Sequence, residues 1–553
     1  METHGPKQEE ALTDGTTKAL ALVNGHVFTA DARGNRAGAV GLLGERIAVV
    51  GTDEEVLRAL PDAERLDLGG RTVLPGFIDA HNHFLATGES LGWVDVRYPG
   101  VGSVDDLVAA IAEAAQRTAE GEWIRAFGFD HAKYDRTPTR WDLDRAAPAH
   151  PVAVLHVSGH HVLVNSLALA ARGVDEDTPD PEGGRLVRDE RGRITGLCLD
   201  AACQLVQPAA VDIGSHGPNF HIEAPLPELV AAVERAGRAY LAAGLTIVCD
   251  AQVTARELGA YREARRLGRL PVRTVCMPLS HQLEAYAAIG LAGPFGDDRL
   301  WIGPLKLYAD GSLIGGTAAF FEPYGERGEL TGSLYHAPER LHELIVRAHA
   351  LGWRVGVHTQ GDRAMELVLR AFAAAQRDHP REDPRFRIEH AGYPTPQQVR
   401  RMAELGVVTV NQPRYLVDSG DEFLLRLGER AHRLQPLREE LEAGVRVVLS
   451  SDSDVASYRP LDTIAAAVSR RTLAGRPIGA DQALSVEEAI RAHTVEAAFA
   501  IGAEDRLGSI EPGKLADLVV LDGDPFTEPP ERIRELRVWM TILGGEPVFT
   551  AEG

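Results

Sequence analysis

Between about residue 75 and residue 500, short apolar segments alternate with alanine-rich segments that have helical periodicity. Strands alternating with helices are typical of parallel β/α architecture, because a parallel connection needs a crossover element such as a helix. The chain has 553 residues, enough for one large domain of this kind and a smaller second one. The helices that the pattern predicts most clearly are Val104–Thr118, Pro227–Ala243, Pro338–Leu351 and Pro396–Leu405.

Polar side chains follow the predicted strands of this region at the points where the strands end. Five such strands and the residues after them are Leu305–Tyr308 with Asp310, Arg354–Val357 with His358, Phe386–Glu389 with His390, Gly406–Val410 with Gln412, and Val445–Leu449 with Asp452. The spacing of 32 residues from His358 to His390 fits one strand–helix unit, and the next 62 residues fit two. The pattern predicts a TIM (β/α)8 barrel, which gathers the carboxyl ends of its strands on one face.

The apolar run Leu74–His83 ends in two histidines that are separated by one residue. Side chains alternate between the faces of an extended strand, so His81 and His83 point the same way and can hold one metal ion. An isolated His-x-His pair is more often solvated or packed in a core. The buried-strand context and the polar strand ends downstream favour the metal site here.

Six side chains can therefore converge on one face of the barrel: His81, His83, Lys306, His358, His390 and Asp452. The four histidines and Asp452 are candidate metal ligands. Histidine nitrogens suit zinc or a similar divalent ion. Asp452 can contact the metal and also accept a proton from a bound water, whose pKa the metal lowers from about 16 toward 7. Singly, these residues have ordinary alternatives, such as an ion pair for His390 or a turn cap for Asp452.

Short β-type segments occur at both ends of the chain. They are Ala19–Val23, His26–Thr29, Ala39–Leu43, Arg46–Val50 and Arg71–Val73 near the start, and Leu518–Leu521, Val538–Leu543 and Pro547–Thr550 near the end. This pattern predicts one small β-domain built from both termini, residues 18–74 and 506–553. The barrel, residues 75–505, lies between these two segments in the sequence. Residues 1–17 are predicted to be a disordered tail.

The composition restricts the partners and the compartment. A net charge of −22 argues against nucleic acid and against an anionic membrane surface as partners. Four cysteines in so long a chain indicate a reducing compartment without a disulfide framework. The polar first 17 residues do not resemble a signal peptide, and no apolar run approaches the roughly 20 residues of a membrane span. We therefore expect a cytoplasmic protein.

Several motifs together resemble the amidohydrolase superfamily, and within it the YtcJ-like branch (amidohydrolase family 3) that includes N-substituted formamide deformylase. The resemblance covers about residues 20–550. The matching segments are Leu74–His83, Lys306–Ser312, His358–Ala364, Arg387–Ala391, Ser451–Asp452 and Gly508–Leu518. The resemblance implies a metal-dependent hydrolase on a distorted (β/α)8 barrel, with the termini forming a small β-sandwich.

The resemblance also implies a ligand for each position. His81 and His83 would bind one ion together with Asp452, and His358 and His390 would bind a second. Lys306 would bridge the two ions after carboxylation of its amine by CO2. The alternative is an unmodified Lys306 that pairs with Asp310 or binds substrate, with a single zinc ion on the histidines.

Three further residues are candidates for substrate binding: His160, Asp310 and Gln412. The segment Ser158–Ser166 resembles a family signature with one histidine, which aligns with His160; a packed, hydrogen-bonded histidine is the alternative. Ser453 departs from the family, in which many relatives have a small apolar residue followed by proline. An insertion at about residues 130–225 and a loop at 311–335 are predicted to overhang the metal face as lids, rigid walls or oligomer contacts.

The leading functional hypothesis is hydrolysis of an amide-type C–N bond of a small molecule. Metal-activated hydroxide attacks the carbonyl carbon, and Asp452 moves the proton as general base and then general acid. The same centre could instead hydrolyse an ester, lactone or carbamate, or act as a deaminase. A catalytically silent binding or assembly module is the alternative outside enzymes, since fold does not fix function. A homodimer is expected because relatives often pair.

Overall fold

A computed structural model describes residues 18–131, 133–181, 184–207 and 210–551 of the chain. The tail predicted at residues 1–17 lies outside the described residues. The structure is a mixed α/β fold with 26 strands and 18 α-helices among the described residues. None of these helices combines the length and the apolar character that crossing a bilayer requires.

The strands, in chain order, are β1 (Ala19–Val23), β2 (His26–Phe28), β3 (Arg36–Ala37), β4 (Ala39–Leu43), β5 (Arg46–Gly51), β6 (Glu64–Asp67), β7 (Thr72–Pro75), β8 (Phe77–Asn82), β9 (Val94–Asp95), β10 (Ile124–Phe129), β11 (Val152–His156), β12 (His161–Val164), β13 (Gly184–Arg188), β14 (Ile194–Asp200), β15 (Leu245–Val253), β16 (Arg273–Pro278), β17 (Phe295–Gly296), β18 (Leu300–Ile302), β19 (Leu305–Tyr308), β20 (Val355–His358), β21 (Arg387–Glu389), β22 (Val408–Asn411), β23 (Arg446–Leu449), β24 (Leu518–Leu521), β25 (Val538–Leu543) and β26 (Glu546–Thr550).

The α-helices are α1 (Asp53–Ala59), α2 (Phe84–Ser90), α3 (Val104–Ala115), α4 (Arg140–Ala146), α5 (Ser166–Ala171), α6 (Cys203–Val206), α7 (Leu226–Ala242), α8 (Ala255–Arg266), α9 (Leu283–Ala288), α10 (Pro338–Ala350), α11 (Asp362–Asp378), α12 (Pro396–Glu404), α13 (Arg414–Asp418), α14 (Gly420–Leu427), α15 (Leu437–Ala443), α16 (Pro460–Ser469), α17 (Val486–Ala492) and α18 (Val495–Ile501). Short 3-10 helices cover Ser280–Gln282, Gly428–Arg433, Ala480–Gln482 and Pro530–Glu535.

Two five-stranded sheets carry the strands of the middle region. Their orders are β17-β18-β16-β15-β8 and β19-β20-β21-β22-β23, and every pair except β17–β18 is parallel. A bridge between Leu279 and Lys306 links β19 to the end of β16. On the other side, the Asp452 N–H donates to the His81 carbonyl over 2.9 Å, and the His83 N–H donates to the Ser453 carbonyl over 2.7 Å. The carboxyl ends of β8 and β23 are therefore neighbours.

Apolar side chains explain why these strands lie inside. All residues of β15 and β20 are buried, as expected for parallel strands that helices cover. The helix α11 buries one face, from which Phe372 stacks on Phe386 with ring centroids 4.3 Å apart. Such packing of helices onto the sheets holds the strand ends in place.

The segment between the adjacent strands β8 and β15 forms a sheet of its own. Its six strands have the order β13-β14-β12-β11-β10-β9. In this sheet β10 is parallel to β11, whereas β11, β12, β14 and β13 pair antiparallel. The sequence predicts an insertion at about residues 130–225, but the extra sheet already begins at β9. We call the sheet β9–β14 the wall sheet.

Strands from both ends of the chain share one sheet, of order β26-β25-β24-β7-β2-β3. A second sheet, β5-β4-β1-β6, contributes to the same hydrophobic core. In the shared sheet β24 pairs antiparallel with β7, which places Val519 opposite Leu74. The division into domains at residues 75 and 505, and the β-sandwich, stay predictions.

A buried ion pair ties the terminal sheet to the parallel strands. Arg273, the first residue of β16, donates to both oxygens of Asp517 over 2.7 and 2.9 Å. Both side chains are almost completely buried. Asp517 also accepts a hydrogen bond from the Gly544 N–H. The buried carboxylate of Asp517 is therefore compensated by the guanidinium of Arg273, and removing either side chain leaves the other charge buried without its partner.

Replacing Arg273 with methionine should lower the free energy of unfolding by about 3–5 kcal/mol, because Asp517 is left as a buried carboxylate without its cation. Urea denaturation measures the loss. The Arg117→Met control removes an exposed ion pair with Glu113 and should cost less than about 1 kcal/mol. Equal losses in the two variants would contradict the assigned role of the buried pair.

Candidate active site

The six predicted ligands lie at or beside the carboxyl ends of five parallel strands. Their places are His81 near the end of β8 and His83 just after it, Lys306 in β19, His358 at the end of β20, His390 after β21, and Asp452 after β23. All six are buried. His390 and Asp452 have positive φ angles of 77° and 54°, a conformation that is uncommon outside glycine and clusters at functional sites.

Asp452 is the centre of the first group of contacts. Its Oδ1 lies 3.0 Å from His83 Nε2 and 3.4 Å from His81 Nε2. The Tyr415 hydroxyl donates to Oδ2 of the same carboxylate. Burial by itself raises the pKa of Asp452, but the charges and hydrogen bonds of His81 and His83 outweigh it and hold the pKa well below its ordinary value. Asp452 is therefore an oriented carboxylate.

A buried chain of charges fixes the orientation of His81. Its Nδ1 lies 2.6 Å from Glu389 Oε2, and Arg387 donates to the two oxygens of Glu389 over 2.8 and 2.9 Å. An Nδ1–H that donates to a carboxylate leaves Nε2 as the free lone pair. That Nε2 is the atom facing Asp452.

His390 is held in a similar way by an amide. Gln412 donates through Nε2 to Ser450 Oγ over 2.8 Å, which directs its Oε1 toward His390 Nδ1, also 2.8 Å away. Burial lowers the pKa of His390 to about 3, so its imidazole is neutral. The ring of His358 lies 4.4 Å from that of His390, and His358 Nε2 lies 3.1 Å from the Gly311 carbonyl oxygen.

Lys306 is a buried amine among these side chains. Its Nζ lies 3.4 Å from His81 Nε2 and 4.6 Å from the centre of the Tyr308 ring. Burial lowers the pKa of Lys306 to about 8, which brings a sizeable neutral fraction within reach near neutral pH. A neutral amine is the form that CO2 modifies and that a cation tolerates nearby.

A cavity of about 50 Å³ opens over this centre. Five of the six predicted ligands line it, and Lys306 lies behind them. The wall sheet and the chain that follows it supply the opposite side. Their contributions include Leu155, Ser158, His160, Phe220 and Ile222.

The three residues predicted to bind substrate have different places. His160 lines the cavity, 3.4 Å from the Tyr335 hydroxyl. Gln412 holds His390, as described above. Asp310 accepts hydrogen bonds from the backbone N–H groups of Ala319, Gln360 and Gly361, which anchors two loops, and burial raises its pKa to about 7. Substrate binding by these residues stays a prediction.

Sequence reasoning missed several side chains of the site. Tyr415 follows the end of β22 by four residues, so the rule of polar strand ends could have found it. The sequence indicates Glu389 only as an ion-pair partner of His390, whereas its carboxylate contacts His81, which is 308 residues away in the chain. Trp93 and Phe220 come from segments without strand or motif signals, and the sequence gives no sign of them.

The donor set fits a divalent metal ion. His81, His390 and Asp452 each offer a ligand atom within 4.8 Å of the other two. Nδ1 of His83 is buried without a hydrogen-bond partner among the described residues. Imidazole nitrogens with a carboxylate oxygen are the ligands that zinc and similar ions prefer in catalytic sites.

Comparisons with known proteins cover nearly the whole chain. A family model described as "Amidohydrolase family" matches residues 64–549. The chain is 35% identical over 539 residues to the N-substituted formamide deformylase of Arthrobacter pascens (95% of this chain, 97% of the relative). It is 30% identical over 539 residues to the putative amidohydrolase YtcJ of Bacillus subtilis (95% and 98%). A solved structure of an uncharacterized metal-dependent hydrolase from Pyrococcus horikoshii OT3 aligns with a TM-score of 0.75 and 26% identity (93% and 99%).

Replacing Glu389 with glutamine should weaken binding of Zn²⁺ about tenfold or more, because His81 loses the carboxylate that raises the basicity of its Nε2. Competition with a chromophoric chelator measures the affinity. Glu440→Gln is the matched control: Glu440 is another buried carboxyl, but it contacts Thr409 and Asn411 and none of the six predicted ligands. Unchanged affinity in Glu389→Gln would refute the role of Glu389.

Proposed function

This chain belongs to the amidohydrolase family and is a hydrolase that acts on carbon–nitrogen bonds, and we propose that it is a metal-dependent enzyme that cleaves an amide-type C–N bond of a small molecule. The observation that carries the proposal is that five of the six predicted ligands line one cavity, with the buried amine of Lys306 3.4 Å from His81 Nε2. The expected homodimer and cytoplasmic location stay predictions of the sequence.

The proposal includes the architecture that the sequence predicts. We take β8, β15, β16 and the five strands β19–β23 as one distorted (β/α)8 barrel, and the terminal sheets as a β-sandwich. The contacts that join β16 to β19 and β23 to β8 support the barrel. The hydrophobic core that the two terminal sheets share supports the sandwich.

We assign the ligands as the family resemblance implies. His81, His83 and Asp452 would hold one ion of the zinc type, and His358 and His390 a second. Lys306 would bridge them as a carbamate; its burial, its lowered pKa and its position beside His81 support this modification. An ion held here would polarise a substrate carbonyl and lower the pKa of a bound water from about 16 toward 7.

The protein's own residues move the proton and position the substrate. Asp452 accepts the proton of the attacking water and returns it to the leaving nitrogen. Its low pKa keeps it ionised at neutral pH, and the Tyr415 hydrogen bond holds it in one orientation. His160 faces the same cavity and can donate a hydrogen bond to the substrate carbonyl.

The shape of the cavity favours a small acyl group. The space open to water-sized groups beside the ligands measures about 50 Å³, so the part of the substrate that enters it is small. The apolar side chains of Trp93, Leu155, Phe220 and Ile222 lie at the same cavity and suit an apolar substituent on the nitrogen. A formyl group is the smallest acyl group, and the 35% identical relative is named for N-substituted formamides. We therefore propose N-substituted formamides as the substrate class.

A substrate panel tests this function. An N-alkyl or N-benzyl formamide should be hydrolysed with a kcat/KM about 10- to 200-fold above the matching acetamide, because an added methyl group must fit a small cavity. Chelation should abolish turnover, and Zn²⁺ or Mn²⁺ should restore it. The matching formate ester, a lactone, a carbamate and an aminopurine test ester hydrolysis and deamination. A preference for one of these, or turnover that survives chelation, would refute the proposal.

Replacing Asp452 with asparagine should lower kcat by about 10²–10⁴-fold, because the amide cannot accept the proton. The assay is run at saturating metal, with circular dichroism and bound metal measured on the same sample, so that a loss of metal is separated from a loss of the base. Asp378→Asn, on the exposed face of α11, is the control and should leave kcat unchanged. A metal-loaded Asp452→Asn variant with wild-type kcat would remove Asp452 as the base.

A further inference from the structure

We propose a second metal-binding site on the wall sheet, formed by Asp130, His131 and His156. Each of the three offers a ligand atom within 4.8 Å of the other two. The group shares no residue with the centre described above. Two imidazoles and one carboxylate form a donor set for a divalent ion of the zinc class.

Strand register explains why these side chains meet. The neighbouring strands β10 and β11 are parallel, and Phe129, the last residue of β10, lies opposite His156, the last residue of β11. Asp130 and His131 follow Phe129 directly. The carboxyl ends of two parallel strands thus place three ligand groups at one edge of the wall sheet.

One ring nitrogen of each histidine lacks a hydrogen-bond partner among the described residues. His156 is buried, and Ser158 contacts its Nδ1 through the hydroxyl at 2.9 Å and the backbone N–H at 3.1 Å. Its Nε2 points toward Asp130 Oδ1, 3.8 Å away. Nε2 of His156 and Nδ1 of His131 are buried, and neither has a hydrogen-bond partner within the described part of the chain. Buried polar atoms without partners are costly. An ion would satisfy His131 Nδ1 directly. It would satisfy His156 Nε2 once that ring takes the Nδ1–H tautomer, which donates to Ser158 Oγ and gives up the bond from the Ser158 N–H.

The distances require only a small contraction. Ligand atoms around a tetrahedral zinc ion lie about 3.3 Å apart, since each is roughly 2.0 Å from the metal. The three atoms lie within 4.8 Å of one another, so the side chains must draw closer together to hold an ion. The ring of His161 lies 5.1 Å from that of His156 and is the nearest candidate for a fourth ligand.

Lys133 competes with the metal ion for the carboxylate of Asp130. Its ammonium lies 3.2 Å from Asp130 Oδ2, and its side chain is 24% exposed. The centre of the Tyr98 ring lies 6.0 Å from the ammonium and offers it an alternative cation–π contact. A surface cavity of about 280 Å³, lined by Asp130 and Lys133, gives an ion access from solvent. A divalent ion would displace the Lys133 ammonium from Asp130 and take both histidines as further ligands.

An ion at this site would cross-link the ends of β10 and β11. The chain continues from β11 into Ser158 and His160, which line the catalytic cavity. The second site would therefore stabilise the part of the wall sheet that faces the substrate, without contacting it.

Metal stoichiometry of the full-length protein tests the proposal. The protein is stripped with chelator and titrated with Zn²⁺ alone, and bound metal is determined by mass spectrometry after gel filtration. The His81→Gln variant disables the first centre. One equivalent of Zn²⁺ should still bind to this variant. If that equivalent is lost in the His81→Gln/His131→Gln double variant, it belongs to the second site. His342→Gln, on the exposed side of α10, replaces His131→Gln in the matched control and should retain that equivalent.

Affinity measurements give an independent readout. In the His81→Gln background, Asp130→Asn should weaken the remaining Zn²⁺ site at least tenfold, and Lys133→Gln should strengthen it, because the competing ammonium is gone. Cobalt substitution should give visible absorption bands that Lys133→Gln keeps. Equal metal content in the single and double histidine variants, or an affinity that Lys133→Gln leaves unchanged, would overturn the second site.

Discussion

The hydrogen bonds that join residues 81–83 to residues 452–453 are the constraint on which the site depends. They bring the ends of β8 and β23, the first and the last strands that carry predicted ligands, side by side, although some 370 residues separate them in the chain. Without this contact, Asp452 would have neither His81 nor His83 beside it. The backbone therefore supplies the geometry, and the side chains at the strand ends supply the chemistry, which is the division of roles that parallel β/α proteins share.

Burying so many titratable groups together is costly, and the structure offsets the cost with paired charges. Arg387 and Glu389 form a fully buried pair that also contacts His81. Tyr415 and Gln412 are neutral and hold Asp452 and His390 without adding charge. The low pKa of His390 and the lowered pKa of Lys306 follow from the same burial. A divalent ion suits this site, because the neutral nitrogens do not repel it and the carboxylate compensates part of its charge.

Much of this arrangement could be predicted from the sequence, because it follows local rules. Strands such as Leu305–Tyr308 and Val538–Leu543 have the predicted bounds, and others shift by one or two residues where the ends of an apolar run are ambiguous. The rule of polar strand ends located His358, His390 and Asp452, the His-x-His pair gave His81 and His83, and Lys306 came from the family resemblance. It could not find Phe220, which lies in a loop and reaches the cavity only through tertiary folding. Nor could it give the extent of the wall sheet, since β9 has two residues and no pattern.

The wall sheet is inserted in the chain between β8 and β15, two strands that pair directly with each other. The chain leaves this pair at the carboxyl end of β8 and returns through α7 to the amino end of β15, so the whole segment lies between two neighbouring strands. A segment attached in this way resembles an inserted module, whose sequence can drift while the pairing beneath it persists. Selectivity for the nitrogen substituent can consequently diverge among relatives faster than the hydrolytic machinery, since the two are inherited on separate stretches of polypeptide.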